Sequence, residues 1–87
     1  MWMVKLDWKS ECYNSNWTKI FKKKKNAEYL FRKHIVEEYN KWSNVKAKET
    51  DDTDNLLEAV LLIIEESNNN GYDYEFDINM EVLKTED

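Results

Sequence analysis

Proline is absent from this sequence, and glycine occurs once, at Gly71. A single glycine cannot build the Gly-rich loop that cradles a nucleotide phosphate, and no serine stands in a nucleophile elbow. Cysteine also occurs once, so Cys12 has no internal disulfide partner, and nothing points to an oxidising compartment. The only histidine, His34, leaves no set of imidazole metal ligands, and nothing in its spacing from Cys12 makes a nucleophile–base pair. Asp51-Asp52-Thr53-Asp54 lacks the glycine and the distal glutamate of a calcium loop. The longest apolar run, Ala59–Ile64, is six residues long, against the ~20 that span a bilayer. Met1–Leu6 is too short for a signal peptide, and Lys5 and Asp7 interrupt it. These absences lead us to expect a cytoplasmic chain with no catalytic residues, cofactor or metal.

What is present is charge and aromatic surface. Residues 1–48 hold 12 Lys and Arg against 5 acids, a net of +7, whereas residues 49–87 hold 1 against 13, a net of −12. A separation of that kind acts on charged partners over roughly a Debye length, ~8–10 Å at ordinary salt. Four Trp, five Tyr and three Phe in 87 residues supply large apolar faces, enough to form much of a small core. At this length the chain reads as one domain.

Trp2, Val4, Leu6 and Trp8 alternate with polar residues, which predicts a half-buried strand over about 2–9. Residues 10–16 read as a loop, and a second strand is expected at 17–22, with Trp17 and Phe21 on one side. Ala27, Leu30, Phe31, His34, Ile35, Tyr39 and Trp42 recur at helical spacing, so a helix is expected over about 27–43, capped by Asn26 and with a break near Tyr39 left open. Thr53 or Asp54 is expected to cap a second helix over about 55–67, whose wide apolar face marks it as the more buried of the two. Tyr72 to Leu83 alternates throughout and predicts a last strand over about 72–83, long enough (~40 Å) to require a bend or bulge. The order β-β-α-α-β predicts an α+β fold, a three-stranded antiparallel sheet with two helices on its apolar face. Pairing of the last strand with the first or the second is left open.

Three groups of residues are candidates for binding. Asp73, Glu75, Asp77 and Glu81 form an acidic ladder on the last strand, which Asp51, Asp52, Asp54, Glu58, Glu65 and Glu66 would reinforce. The bland alternative is a solvated sheet face whose acids pair with Lys5, Lys9 or Lys19. Tyr13 and Trp17, near the loop, and Tyr29 and Val36, off the main apolar stripe of the first helix, are candidate interface anchors. Lys19, Lys22, Lys23, Lys24, Lys25, Arg32 and Lys33 form a basic set suited to nucleic-acid phosphates, although a single Arg is poor equipment for base or bidentate phosphate recognition.

The wealth of Lys, Asn, Glu and Ile fits an AT-rich coding source. A short hairpin ending in Phe21 and a lysine cluster, Asn26-Ala27-Glu28-Tyr29-Leu30 opening a helix, and a closing acidic strand complete the pattern. In style it resembles small accessory proteins encoded by phages and mobile elements of low-GC bacteria, among them anti-CRISPR and other anti-defence inhibitors. The resemblance implies a non-enzymatic inhibitor that occludes a host protein, such as a nuclease or CRISPR effector. The alternatives are a nucleic-acid-binding accessory protein and a homodimer that pairs basic with acidic surfaces.

Overall fold

The structure is a computed structural model that describes residues 1–10, 12–48 and 52–83. Its elements are β1 (Trp2–Lys9), β2 (Asn14–Phe21), α1 (Lys24–Trp42), α2 (Thr53–Asn69) and β3 (Glu75–Val82). The fold is α+β, with an antiparallel sheet in the order β2-β1-β3. The last strand therefore pairs with the first. β1 is central because its apolar residues at every second position let one face bury completely: Val4 and Leu6 are both buried.

Register sorts the side chains. Trp2, Val4, Leu6 and Trp8 stand opposite Phe21, Lys19, Trp17 and Ser15 of β2, and opposite Val82, Met80, Ile78 and Phe76 of β3. These residues share the face covered by helix. The other face, which carries Lys5, Asp7, Lys9, Glu75, Asp77 and Glu81, has no helix on it. α1 lies across all three strands, and α2 packs mainly on α1 with a lesser contact to β3. The molecule is thin, measuring 50 × 28 × 16 Å.

The core is mostly aliphatic, with Val4, Ile35 and Val60 its largest fully buried side chains and Phe76 its one buried ring. The aromatics form a half-buried shell around it, including all four Trp, Phe21, Phe31, Tyr39 and Tyr74. The expectation that rings would fill the interior is thus corrected. A thin three-layer domain has room for complete burial only along its midline, and rings with an N–H or O–H handle stay where one end can find a partner.

Several boundaries differ from expectation. β2 begins at Asn14 rather than at residue 17, because Asn14, Ser15 and Asn16 pair with Lys9, Trp8 and Asp7 despite their poor strand propensity. α1 begins at Lys24. Lys23 stands at its N-cap without a side-chain bond, and the backbone N–H groups of Asn26 and Ala27 turn onto the Lys23 carbonyl. The basic first turn is held by Lys24, which pairs with Glu28 at 3.5 Å and lies 5.2 Å over the Trp2 ring. α1 runs unbroken through Tyr39. The cap of α2 is Asp52, whose carboxylate accepts from the Asp54 N–H at 3.0 Å.

β3 begins at Glu75, three residues into the expected 72–83 strand, and pairs residue for residue with the eight of β1, so the expected bend or bulge is not needed. Tyr74 finds a substitute partner in the Asn68 side chain, which accepts from its N–H at 2.8 Å and donates to its carbonyl at 2.9 Å. Tyr72 and Tyr74 then stack on each other at 5.3 Å.

α2 is not the more buried helix. It buries only Val60 and Ile64 and leaves Leu61 and Leu62 exposed, whereas α1 buries Ala27, Ile35, Val36 and Glu38. α1 is covered on two sides, by the sheet and by α2. Its covered arc is therefore wider than one stripe and takes in Val36, a residue expected at the surface.

Gly71 ends α2 with φ of +101°, in open space that a Cβ would not fill. Gly71→Ala is expected to lower stability by about 1–2 kcal/mol through backbone strain alone. Urea unfolding checks this, and Gly71→Asn should recover part of the loss.

Candidate functional site

A cleft of about 480 Å³ opens between the β1–β2 hairpin and α1. Trp8, Tyr13 and Trp17 supply aromatic walls, Leu6 and Phe76 apolar floor, and His34, Glu38 and Lys41 polar groups from α1. The local sequence explains the arrangement. Trp8 and Trp17 lie diagonally across two paired strands, on the helix-covered face. His34, Glu38 and Trp42 follow one another at four-residue intervals along one side of α1.

Glu38 is the polar centre of this region and is 8% exposed. Its Oε1 accepts from the Trp8 indole N–H at 3.0 Å and from the Trp42 indole N–H at 3.1 Å. Its Oε2 faces the Lys41 ammonium at 3.3 Å. Lys41 also stands 4.7 Å over the Trp8 ring. A buried carboxylate needs this company, since an uncompensated charge in such a place costs several kcal/mol. Motif reasoning passed over Glu38, yet a carboxylate at helical spacing between His34 and Trp42, on the apolar side, is the signal that marks it.

His34 lies beside the Trp17 ring with centroids 4.8 Å apart, and its Nδ1 is 3.7 Å from a Glu37 carboxylate oxygen. Burial holds the imidazole below its ordinary value; Glu37 works against that, and Lys33 and Lys19 add to the lowering. Cys12 is exposed in the hairpin connection. Among the described residues, no three His, Cys, Asp or Glu side chains gather as metal ligands do. No helix among them is long and apolar enough to cross a membrane.

The predicted acidic residues do not form one surface. Glu75, Asp77 and Glu81 project from the bare face of the sheet, where Lys9 stands opposite Glu75, Lys5 opposite Asn79 and Asp7 opposite Asp77. That ladder is interleaved with lysines of β1. Lys19 takes no part in it: it is on the other face, at the far edge strand, 5.3 Å over the Trp17 ring. Asp73 is exposed but precedes the strand. Asp51 lies outside the described residues. Asp52 and Asp54 open α2, in the layer on the other side of the sheet.

α2 itself carries Asp54, Glu58, Glu65 and Glu66 and no basic residue. Leu57, Leu61 and Leu62 line a shallow hollow of about 280 Å³ with Asp54, Glu58 and Glu65 around it. Among the described residues none of these acids has a cation within 4 Å; the ion pairs there are Lys24–Glu28, His34–Glu37 and Lys41–Glu38.

Of the expected anchors, Tyr13 and Trp17 meet at the cleft, whereas Tyr29 is exposed on α1 and lines none of it. Lys22 and Lys23 bridge β2 to α1, Lys24 and Lys25 occupy its first turn, and Arg32 and Lys33 lie exposed further along it.

Two outcomes test this geometry. Glu38→Ala is expected to cost about 2–4 kcal/mol, because it strands two half-buried indole donors; Glu38→Gln keeps an acceptor and should cost roughly 1–2 kcal/mol. Urea denaturation with near-ultraviolet circular dichroism of the tryptophans measures both. His34 has a depressed pKa in the folded state, so the unfolded chain takes up its proton first as pH falls. Its contribution is complete above about pH 6.5 and is lost as pH falls through the folded value. The urea midpoint should therefore drop between pH 7 and 5.5, and His34→Phe should flatten that drop.

No family model matches this chain, nor does any curated protein or solved structure, so the site is read from its own geometry.

Proposed function

We propose that this chain is a non-enzymatic interaction protein that docks the outer face of α2 onto a basic surface of another protein. The observation that carries the reading is the pair Leu61 and Leu62, exposed at 43% and 57% amid Asp54, Glu58 and Glu65 on a helix without a single basic residue. An apolar centre with a charged rim is the anatomy of a protein interface. Glu65 and Glu66 near the C-terminal end of α2 also oppose the helix dipole. Among the described residues no cation within 4 Å offsets that small unfavourable term, which fits charge held for a partner. The matching partner chemistry is a lysine- and arginine-rich surface, such as the groove in which a nucleic-acid-handling protein holds its substrate. Occupying that groove would inhibit by steric exclusion. A phage-encoded or mobile-element inhibitor of a nuclease or CRISPR effector, acting in a host cytoplasm, is the fullest form of this reading.

A second reading has one observation in its favour. The first turn of α1 has no acidic residue and no side-chain cap, and Lys22, Lys23, Lys24 and Lys25 lead into it and occupy its start. That combination favours an anion, which nucleic-acid phosphate would supply. Against it, Lys24 is already engaged by Glu28 and Trp2.

The readings separate cleanly. Affinity capture from lysate of a low-GC bacterium, at low and high salt, should retain a basic protein that Glu58→Lys/Glu65→Lys fails to retain. With that protein purified, the double variant should lower the association rate by roughly tenfold or more at low salt and flatten its salt dependence. A rate unchanged by charge reversal overturns the α2 reading. A DNA or RNA mobility shift lost on replacing the four lysines with Ala would favour the second.

A further inference from the structure

The α2 face leaves the aromatic cleft unused. We propose that the cleft is a receptor for one arginine side chain of a basic partner protein, and that Lys41 is its internal placeholder. The structure already holds a cation there: the Lys41 ammonium lies 4.7 Å over the Trp8 ring and 3.3 Å from Glu38 Oε2. A position that satisfies an ammonium by one ring face and one carboxylate oxygen satisfies a guanidinium by the same two contacts.

The carboxylate is arranged for such a guest. Both indole bonds fall on Oε1, which fixes the group in place from β1 and from the end of α1. Oε2 is left to Lys41 as its cation, and both residues line the cleft. Lys41 is held loosely, with its side chain 56% exposed, and can swing into water at small cost. Nothing comparable releases the two indoles.

The remaining walls suit a flat cation better than a compact one. Trp17 and Tyr13 add two further rings, and Trp8 and Tyr13 are tilted at 58° with centroids 5.5 Å apart. A guanidinium is planar and weakly hydrated, so it stacks on such rings and gives up less water than an ammonium on entering. About 480 Å³ is within the usual range for a site that encloses a small group.

The proposal rests on the reading of a basic partner only for the source of the arginine. A free peptide probes the cleft without that partner, and Glu58→Lys/Glu65→Lys leaves the cleft unaltered, so either reading can fail alone. The probe is acetyl-Gly-Arg-Gly-amide, with the citrulline peptide as its uncharged isostere. The readout is the four tryptophan indole N–H resonances in ¹⁵N–¹H spectra. The arginine peptide is expected to shift the Trp8 and Trp17 signals saturably, and the citrulline peptide to leave them in place. Lys41→Ala should bind roughly two- to fivefold tighter, because the competing cation is gone. Trp17→Leu, at an edge strand, should bind about fivefold more weakly with the Trp8 and Trp42 signals otherwise intact. No saturable shift in either the native protein or Lys41→Ala, equal shifts from both peptides, or weaker binding by Lys41→Ala overturns the proposal.

Discussion

The Glu38 carboxylate adds a directional bond between α1 and the central strand to the apolar contact they share in the core. Through Oε1 it ties the indole of Trp8 on β1 to that of Trp42 at the end of α1. A charged acceptor makes each of those bonds stronger than a neutral one, by about a factor of two. The Trp8 bond crosses from the sheet to α1, while the Trp42 bond lies within α1 and orients the carboxylate. With α1 so placed, Ile35 reaches Val4 and Leu6 in the core, Val36 falls under cover, and α2 has a surface to pack on. A core of small aliphatic side chains, with rings around its edge, gains less from burial than a larger one would. Directional bonds at its margin correspondingly matter more.

Charge plays a different part. Exposed ion pairs contribute about 0–1 kcal/mol each, so the segregation of basic and acidic halves does little to hold the fold. Its value lies in recognition, where complementary fields act on encounter rate and orientation. Tertiary structure divides the acids into two classes. Those on the bare sheet face stand among Lys5 and Lys9 of β1. Those on α2 share their helix with no basic residue, and the exposed leucines beside them add the apolar area that charge alone lacks. This division favours α2 over the strand as the docking element.

The fold class and the element order were legible because both depend on local periodicity. Trp2 to Trp8 alternates over its whole length, and α1 repeats its apolar residues every three or four positions. What misled was pattern without knowledge of partners. The alternation begins at Tyr72, three residues before β1 has a partner position for it, and Asn14 to Asn16 lacks strand character yet pairs in full. On α2 the wide apolar face suggested burial, but Leu61 and Leu62 on it are exposed. The site was half legible. Tyr13 and Trp17 were visible as candidate anchors, while Glu38, Trp8, Lys41 and Trp42 come together only when β1 and α1 meet. An acid within an apolar stripe signals a buried partner without naming it.

By itself the sequence determined what short-range rules can decide: the number and kind of elements, the two-sided character of β1, the imbalance of charge between the halves, and the want of residues for phosphate loops or disulfides. These follow from spacing and composition, which a linear chain carries in full. Only the tertiary structure decided which strand the last one joins, which helix is the outer one, and on which side of the sheet each carboxylate stands. It also decided that Glu38 would meet two indoles, one of them 30 residues away. Such outcomes depend on contacts between residues far apart in sequence, whose formation is set by how all the apolar faces are covered together and not by any one segment.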